Sequence, residues 1–122
     1  MPDEVRLCTE PHSAREARQI LRQVLARSDW HGDPETAVLL ASELATNAIR
    51  HGGSLTHFDI SASSDCLHVE ASDLVLEGPQ VLDVGPTATS GRGMALVESL
   101  ASSWGVRPGK DQGKTVWFEL LV

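Results

Sequence analysis

Tyrosine is absent from this 122-residue chain, cysteine occurs twice, and ten Lys and Arg stand against seventeen Asp and Glu. Each shortage excludes something. A net charge of -7 argues against a nucleic-acid backbone as the partner, because phosphate binding without base recognition needs clustered basic residues. Cys8 and Cys66 are too few for a disulfide scaffold, and each is expected to act as a small, inert hydrophobe. No stretch approaches the roughly 20 apolar residues of a membrane span. Met1-Pro2-Asp3-Glu4 is acidic where a secretory signal would be basic and apolar, which leads us to expect a cytoplasmic protein. Neither a repeat nor a low-complexity tract is visible. Aromatic residues make up only 4% of the chain; Trp104 and Trp117 are expected in the core, with a place over the sheet edge as the alternative for one of them, and Trp30 as a packing anchor.

What is present suits one packed domain spanning residues 1–122, with 41% hydrophobic and 22% charged residues. Ser13-Ala14-Arg15-Glu16 has the form of a capping box, followed by Ala17, Ile20, Leu21, Val24 and Leu25 at helical spacing. Asp33-Pro34-Glu35 supplies an N-cap, a proline at the first helical position and an acid in the first turn, and Gly52-Gly53 closes a second helix over about 34–51. On that helix Ala37, Val38, Ala41, Leu44, Ala45, Ala48 and Ile49 share one face, and Glu43, Asn47 and Arg50 lie opposite. Alternation over Phe58–Ala62 and Leu67–Ser72 predicts a hairpin. Residues 73–90 lose all periodicity and read as a lid-like loop. Gly91-Arg92-Gly93 then opens a third helix ending near Ser103, and Trp104–Arg107 with Thr115–Leu121 predict a second hairpin. Blocks of helices and strands in this order predict an α+β, two-layer α/β sandwich. Its sheet is expected to be mixed, mostly antiparallel, with helices on one face.

Several common motifs fail on spacing. Gly109-Lys110-Asp111-Gln112-Gly113-Lys114-Thr115 has one residue too few for a P-loop and runs into a strand, so it reads as a hairpin turn with solvated lysines. Gly91-Arg92-Gly93-Met94-Ala95-Leu96 lacks the third small residue of a dinucleotide fingerprint. There is no Gly-x-Ser-x-Gly elbow and no zinc-ligand spacing.

Three features survive in a fixed order: Glu43 with Asn47, Asp73 at a strand end, and Gly91-Arg92-Gly93 at a helix start. Residues at i and i+4 lie within about 5–6 Å on one helix face, so Glu43 and Asn47 can share a cation or a water. A carboxamide oxygen beside a carboxylate suits Mg²⁺. Taken alone, such a pair is more often the solvated face of an amphipathic helix. Asp73 can accept from an exocyclic amine, or simply end its strand. Gly91 and Gly93 can admit an anion to a helix N-terminus, or merely shape a turn. Arg50 can pair with Glu43, and His51 suits the dipole at the helix end.

With Ser42-Glu43-Leu44-Ala45-Thr46-Asn47-Ala48-Ile49-Arg50-His51-Gly52, Asp73, Gly91-Arg92-Gly93-Met94-Ala95-Leu96-Val97, Trp104-Gly105-Val106 and Gly113-Lys114-Thr115-Val116-Trp117-Phe118-Glu119-Leu120, the chain resembles the anti-sigma factor serine kinases. These belong to the superfamily of gyrase, heat-shock chaperone and histidine kinase ATPase domains, whose fold is Bergerat-type. The resemblance covers about Ala14 to Leu120. It implies ATP and Mg²⁺ as cofactors: Asn47 would hold the metal, Glu43 would orient or deprotonate the attacking hydroxyl, and Asp73 would contact the adenine amino group. Gly91, Arg92 and Gly93 would wrap the phosphates, with Met94 and Thr115 of the same motifs also at the nucleotide site, and Leu74–Ser90 would be the lid. It further implies a serine/threonine protein kinase acting on an anti-anti-sigma protein, with a sigma factor as the other partner, and homodimerisation. The expected role is thus regulation of transcription without direct nucleic-acid or membrane contact. Where the family has glycine or another small residue after the acidic strand end, this chain has Leu74. Leu74 favours the alternative, a non-catalytic interaction module of the same fold with weak or no nucleotide binding, whereas Glu43 and Asn47 favour the enzyme.

Overall fold

The computed structural model describes residues 4–52, 55–73, 89–108 and 113–122. The first strand, β1 (Val5–Thr9), was not expected from the sequence: it is short, its alternation rests on Val5 and Leu7 alone, and it lies at a sheet edge. Helix α1 (Ala14–Arg27) begins where the capping box places it. Ser13 Oγ accepts from the Glu16 amide at 3.1 Å, while the Glu16 carboxylate reaches one residue further back, to the His12 amide at 2.6 Å. An N-cap of this kind contributes about 1 kcal/mol.

Helix α2 (Pro34–Gly52) starts at Asp33, whose carboxylate accepts from the Glu35 amide and the Thr36 hydroxyl at 3.1 and 2.8 Å. Those bonds hold the Asp33 carboxyl below its ordinary value. Strands β2 (His57–Ala62) and β3 (Cys66–Asp73) form the expected hairpin. Helix α3 spans Thr89–Leu100, so it begins two residues before Gly91 and ends three before Ser103, which instead opens β4 (Ser103–Pro108). Strand β5 (Lys114–Leu121) completes the second hairpin. The expected lid falls on residues 74–88, outside the described residues, except for its last positions in α3.

The sheet order is β1-β2-β3-β5-β4, and every pairing among the described residues is antiparallel, so the expected mixed character is not seen there. Alternation gives each strand one inward face. Phe58, Ile60 and Ala62, then Leu67, Val69 and Ala71, then Val116, Phe118 and Leu120 point toward the helices. They form one core with Leu21 and Val24 of α1, Leu40 and Leu44 of α2, and Val97 of α3. Burying a large apolar side chain stabilises by about 1.5–3 kcal/mol, which fixes the helices on this side of the sheet.

Among the described residues, the other side of the sheet carries no helix. There Trp117 is half-buried, stacks on His68 with ring centroids 5.5 Å apart, and lies across Gly105, where a Cβ would come within 2.9 Å of the indole. Trp117 is therefore not a core residue: it occupies an outward register position between the inward Val116 and Phe118. Trp104 and Trp30 are partly buried against the core as expected. Cys8 is exposed and Cys66 half-buried. Burial, with Glu119, Asp65 and Glu4 nearby, pushes the Cys66 thiol up.

Candidate functional site

Helix α2 packs on α3 and over β3 and β5, and it carries both Glu43 and Asn47. The helical wheel set Asn47 opposite the apolar face, yet Asn47 is 6% exposed. Helix α2 packs against α1, α3, β3 and β5, so the wheel of α2 alone does not decide which of its positions are buried. Both Oδ1 and Nδ2 are buried without a hydrogen-bond partner among the described residues. Leaving such groups unpaired costs roughly 1–3 kcal/mol each, and native structures tolerate few of them without a reason. Glu43, one turn earlier, is half-buried, and Arg50 is exposed with no ion pair to Glu43 among the described residues.

Asp73 ends β3 on the inward side, two residues beyond Ala71, and is 3% exposed. Directly across the ladder stands Lys114, also 3% exposed, and its Nζ donates to Asp73 Oδ2 at 2.7 Å. Lys114 is therefore not a solvated turn lysine. Register decides this: Lys114 precedes Val116, Phe118 and Leu120 by steps of two, so its side chain must enter the layer between sheet and helices. A buried ion pair recovers its desolvation cost only when geometry and further hydrogen bonds are favourable.

Thr115, by the same register, faces the helix-free side, where its hydroxyl bonds Ser72 Oγ at 2.9 Å. The structure thus brings Lys114, not Thr115, to the inward side with Asp73. Met94 is buried in the apolar core. Gly91, Arg92 and Gly93 fall in the opening turns of α3, where the first backbone N–H groups have no partner within the helix.

A cavity of about 460 Å³ opens at the same end of the sheet, lined by His57, Asp59, Glu70, Ser72 and Arg107 together with the predicted site residues Asp73 and Thr115. Neither Glu43 nor Asn47 lines it. Beside it, Arg107 holds Glu70 at 2.6 Å, Glu70 meets His68 Nε2 at 2.7 Å, and His68 Nδ1 meets Glu119 at 2.9 Å. Burial raises the Glu70 carboxyl, but Arg107 and His68 outweigh it and hold the group below the ordinary glutamate value.

The model of the histidine kinase-like ATPase domain family matches residues 7–120. The chain belongs to this family. The match covers nearly all 122 residues, and the antiparallel sheet with three helices agrees with it as a two-layer ATPase fold. No curated protein matches the chain. For this ATPase family the implied ligand is a nucleotide with its metal, and Asn47 fits that group: a buried carboxamide with oxygen and nitrogen both unpaired among the described residues can offer the oxygen to a hard cation. No cluster of three or more His, Cys, Asp or Glu suited to a metal occurs among the described residues, so a cation here would depend on nucleotide phosphates and water for its remaining ligands. No helix among the described residues is long and apolar enough to cross a membrane.

Sequence reasoning missed Lys114 because it sits in a glycine-rich turn motif. Alternation back from Phe118 was the signal that could have found it.

Proposed function

We propose that the chain binds Mg-ATP and transfers its γ-phosphoryl group to a serine of a partner protein, in the manner of an anti-sigma serine kinase. The observation that carries this reading is Asn47, a buried carboxamide with neither polar atom paired among the described residues. Asn47 would ligate the metal, which when bound neutralises charge on the β- and γ-phosphates. Asp73 would accept from the adenine amine, and the opening backbone amides of α3, through Gly91, Arg92 and Gly93, would face the phosphates.

Glu43 is one helical turn from Asn47 and makes no hydrogen bond among the described residues, so its carboxylate is available to the acceptor. It would take the proton of the serine hydroxyl as the serine oxygen bonds to phosphorus. The bond between phosphorus and the β-phosphate oxygen breaks, and ADP leaves. Positioning and charge neutralisation suffice for such a transfer. The acceptor would be an anti-anti-sigma protein, with a sigma factor as the second partner.

The decisive assay follows labelled γ-phosphate from Mg-ATP into anti-anti-sigma candidates. Wild type should phosphorylate a serine, and Glu43→Ala should lose at least a hundredfold in rate, as removal of a general base does, while still binding ATP. Nucleotide binding without transfer to any candidate would contradict the kinase reading.

A second reading is a non-catalytic interaction module, and one observation favours it: Lys114 already bonds the carboxylate meant for adenine. Leu74, the sequence feature behind that reading, lies outside the described residues.

A further inference from the structure

The Asp73–Lys114 pair is the most deeply buried ion pair among the described residues, with side-chain exposures of 1% and 4%. An ammonium carries three donors, and Lys114 uses one of them, on Asp73 Oδ2. Its other two N–H groups meet no acceptor among the described residues. Water would satisfy them at a surface, but Lys114 is withdrawn from it. A buried cation with unused donors calls for a further acceptor, because unpaired polar groups in a low-dielectric site are costly.

The placement says what that acceptor is. Both side chains project from adjacent strand ends into the layer between sheet and helices, and α2, which carries Asn47, packs over these two strands. A carboxylate and an ammonium 2.7 Å apart offer an acceptor and a donor side by side. The amine edge of adenine offers the complement, an exocyclic donor next to a ring-nitrogen acceptor.

We propose that Lys114 is a base-recognition residue of the nucleotide site, donating to the ring nitrogen beside the amine while Asp73 accepts from the amine itself. This rests on the nucleotide-binding reading above, and it gives the ion pair a role in recognition instead of occlusion. A lysine that only blocked Asp73 would have to be displaced by the base; one that reads the base stays.

The test compares Mg-ATP with the Mg complex of 1-deaza-ATP, in which that ring nitrogen is a C–H and the amine is retained. Titrations are made into wild type and into Lys114→Met. Wild type should bind the deaza analogue at least tenfold more weakly than ATP, and Lys114→Met should bind the two alike and both more weakly than wild type binds ATP. Circular dichroism reports whether Lys114→Met is folded; should it not fold, the wild-type pair of titrations decides alone. Equal affinity of wild type for both nucleotides overturns the proposal, and so does tighter ATP binding by Lys114→Met, the mark of an occluding lysine. If wild type binds neither nucleotide, the nucleotide-binding reading falls and this one with it.

Discussion

A single side chain concentrates the conflict between folding and function. Asn47 occupies a buried position on α2 that an apolar residue of similar size would fill at lower cost, since neither end of its carboxamide is paired among the described residues. Unpaired buried groups are usually retained for a function that outweighs the stability lost. Asn47→Leu should therefore fold and raise the thermal midpoint, by an amount equivalent to about 1 kcal/mol after packing adjustments, as differential scanning calorimetry can show. A fall in the midpoint would mean that the carboxamide is already satisfied within the fold. Sequence singles out Asn47 but not its environment: the wheel places it away from the core, because a single helix carries no information about the elements packed around it, and the side chain is buried.

Among elements, the helices were legible and the strands less so. Helix starts depend on local chemistry, and Ser13 and Asp33 cap α1 and α2 as their spacing implies. Strand β1 was missed because an edge strand of five residues shows too little alternation, and its identity comes from pairing with β2, distant in the chain. The outward faces of β3, β4 and β5 are tied by the chain of contacts from Arg107 through Glu70 and His68 to Glu119. Their sequence spacing conceals this link completely. Glu70 is held below its ordinary value, so it stabilises the fold above that range, and the contribution is lost as pH falls through the lowered folded value. Melting temperatures followed from neutral pH down to about pH 3 should fall more steeply for wild type than for Glu70→Gln. Parallel curves would show that Arg107 and His68 do not favour the ionised carboxylate.

At the scale of the molecule, the two-layer sandwich follows from patterning: three inward strand faces and one apolar stripe per helix have a common core as their solution. The order of Glu43, Asn47, Asp73 and the Gly91–Gly93 turn along the chain was legible too, and the match to the histidine kinase-like ATPase domain family over residues 7–120 agrees with the fold it implied. What sequence could not show is the partner of Asp73. Pairing of β3 with β5 sets Lys114 against it, and that pairing joins residues 41 positions apart. Fold and family together leave one question on which the rest depends, whether α2 at Asn47 holds a nucleotide and its metal. A calorimetric titration of Mg-ATP into wild type and Asn47→Ala addresses it directly. The account predicts saturable binding by wild type and a loss of at least tenfold, about 1.4 kcal/mol, in the variant; equal binding by both proteins, or none by wild type, would contradict it.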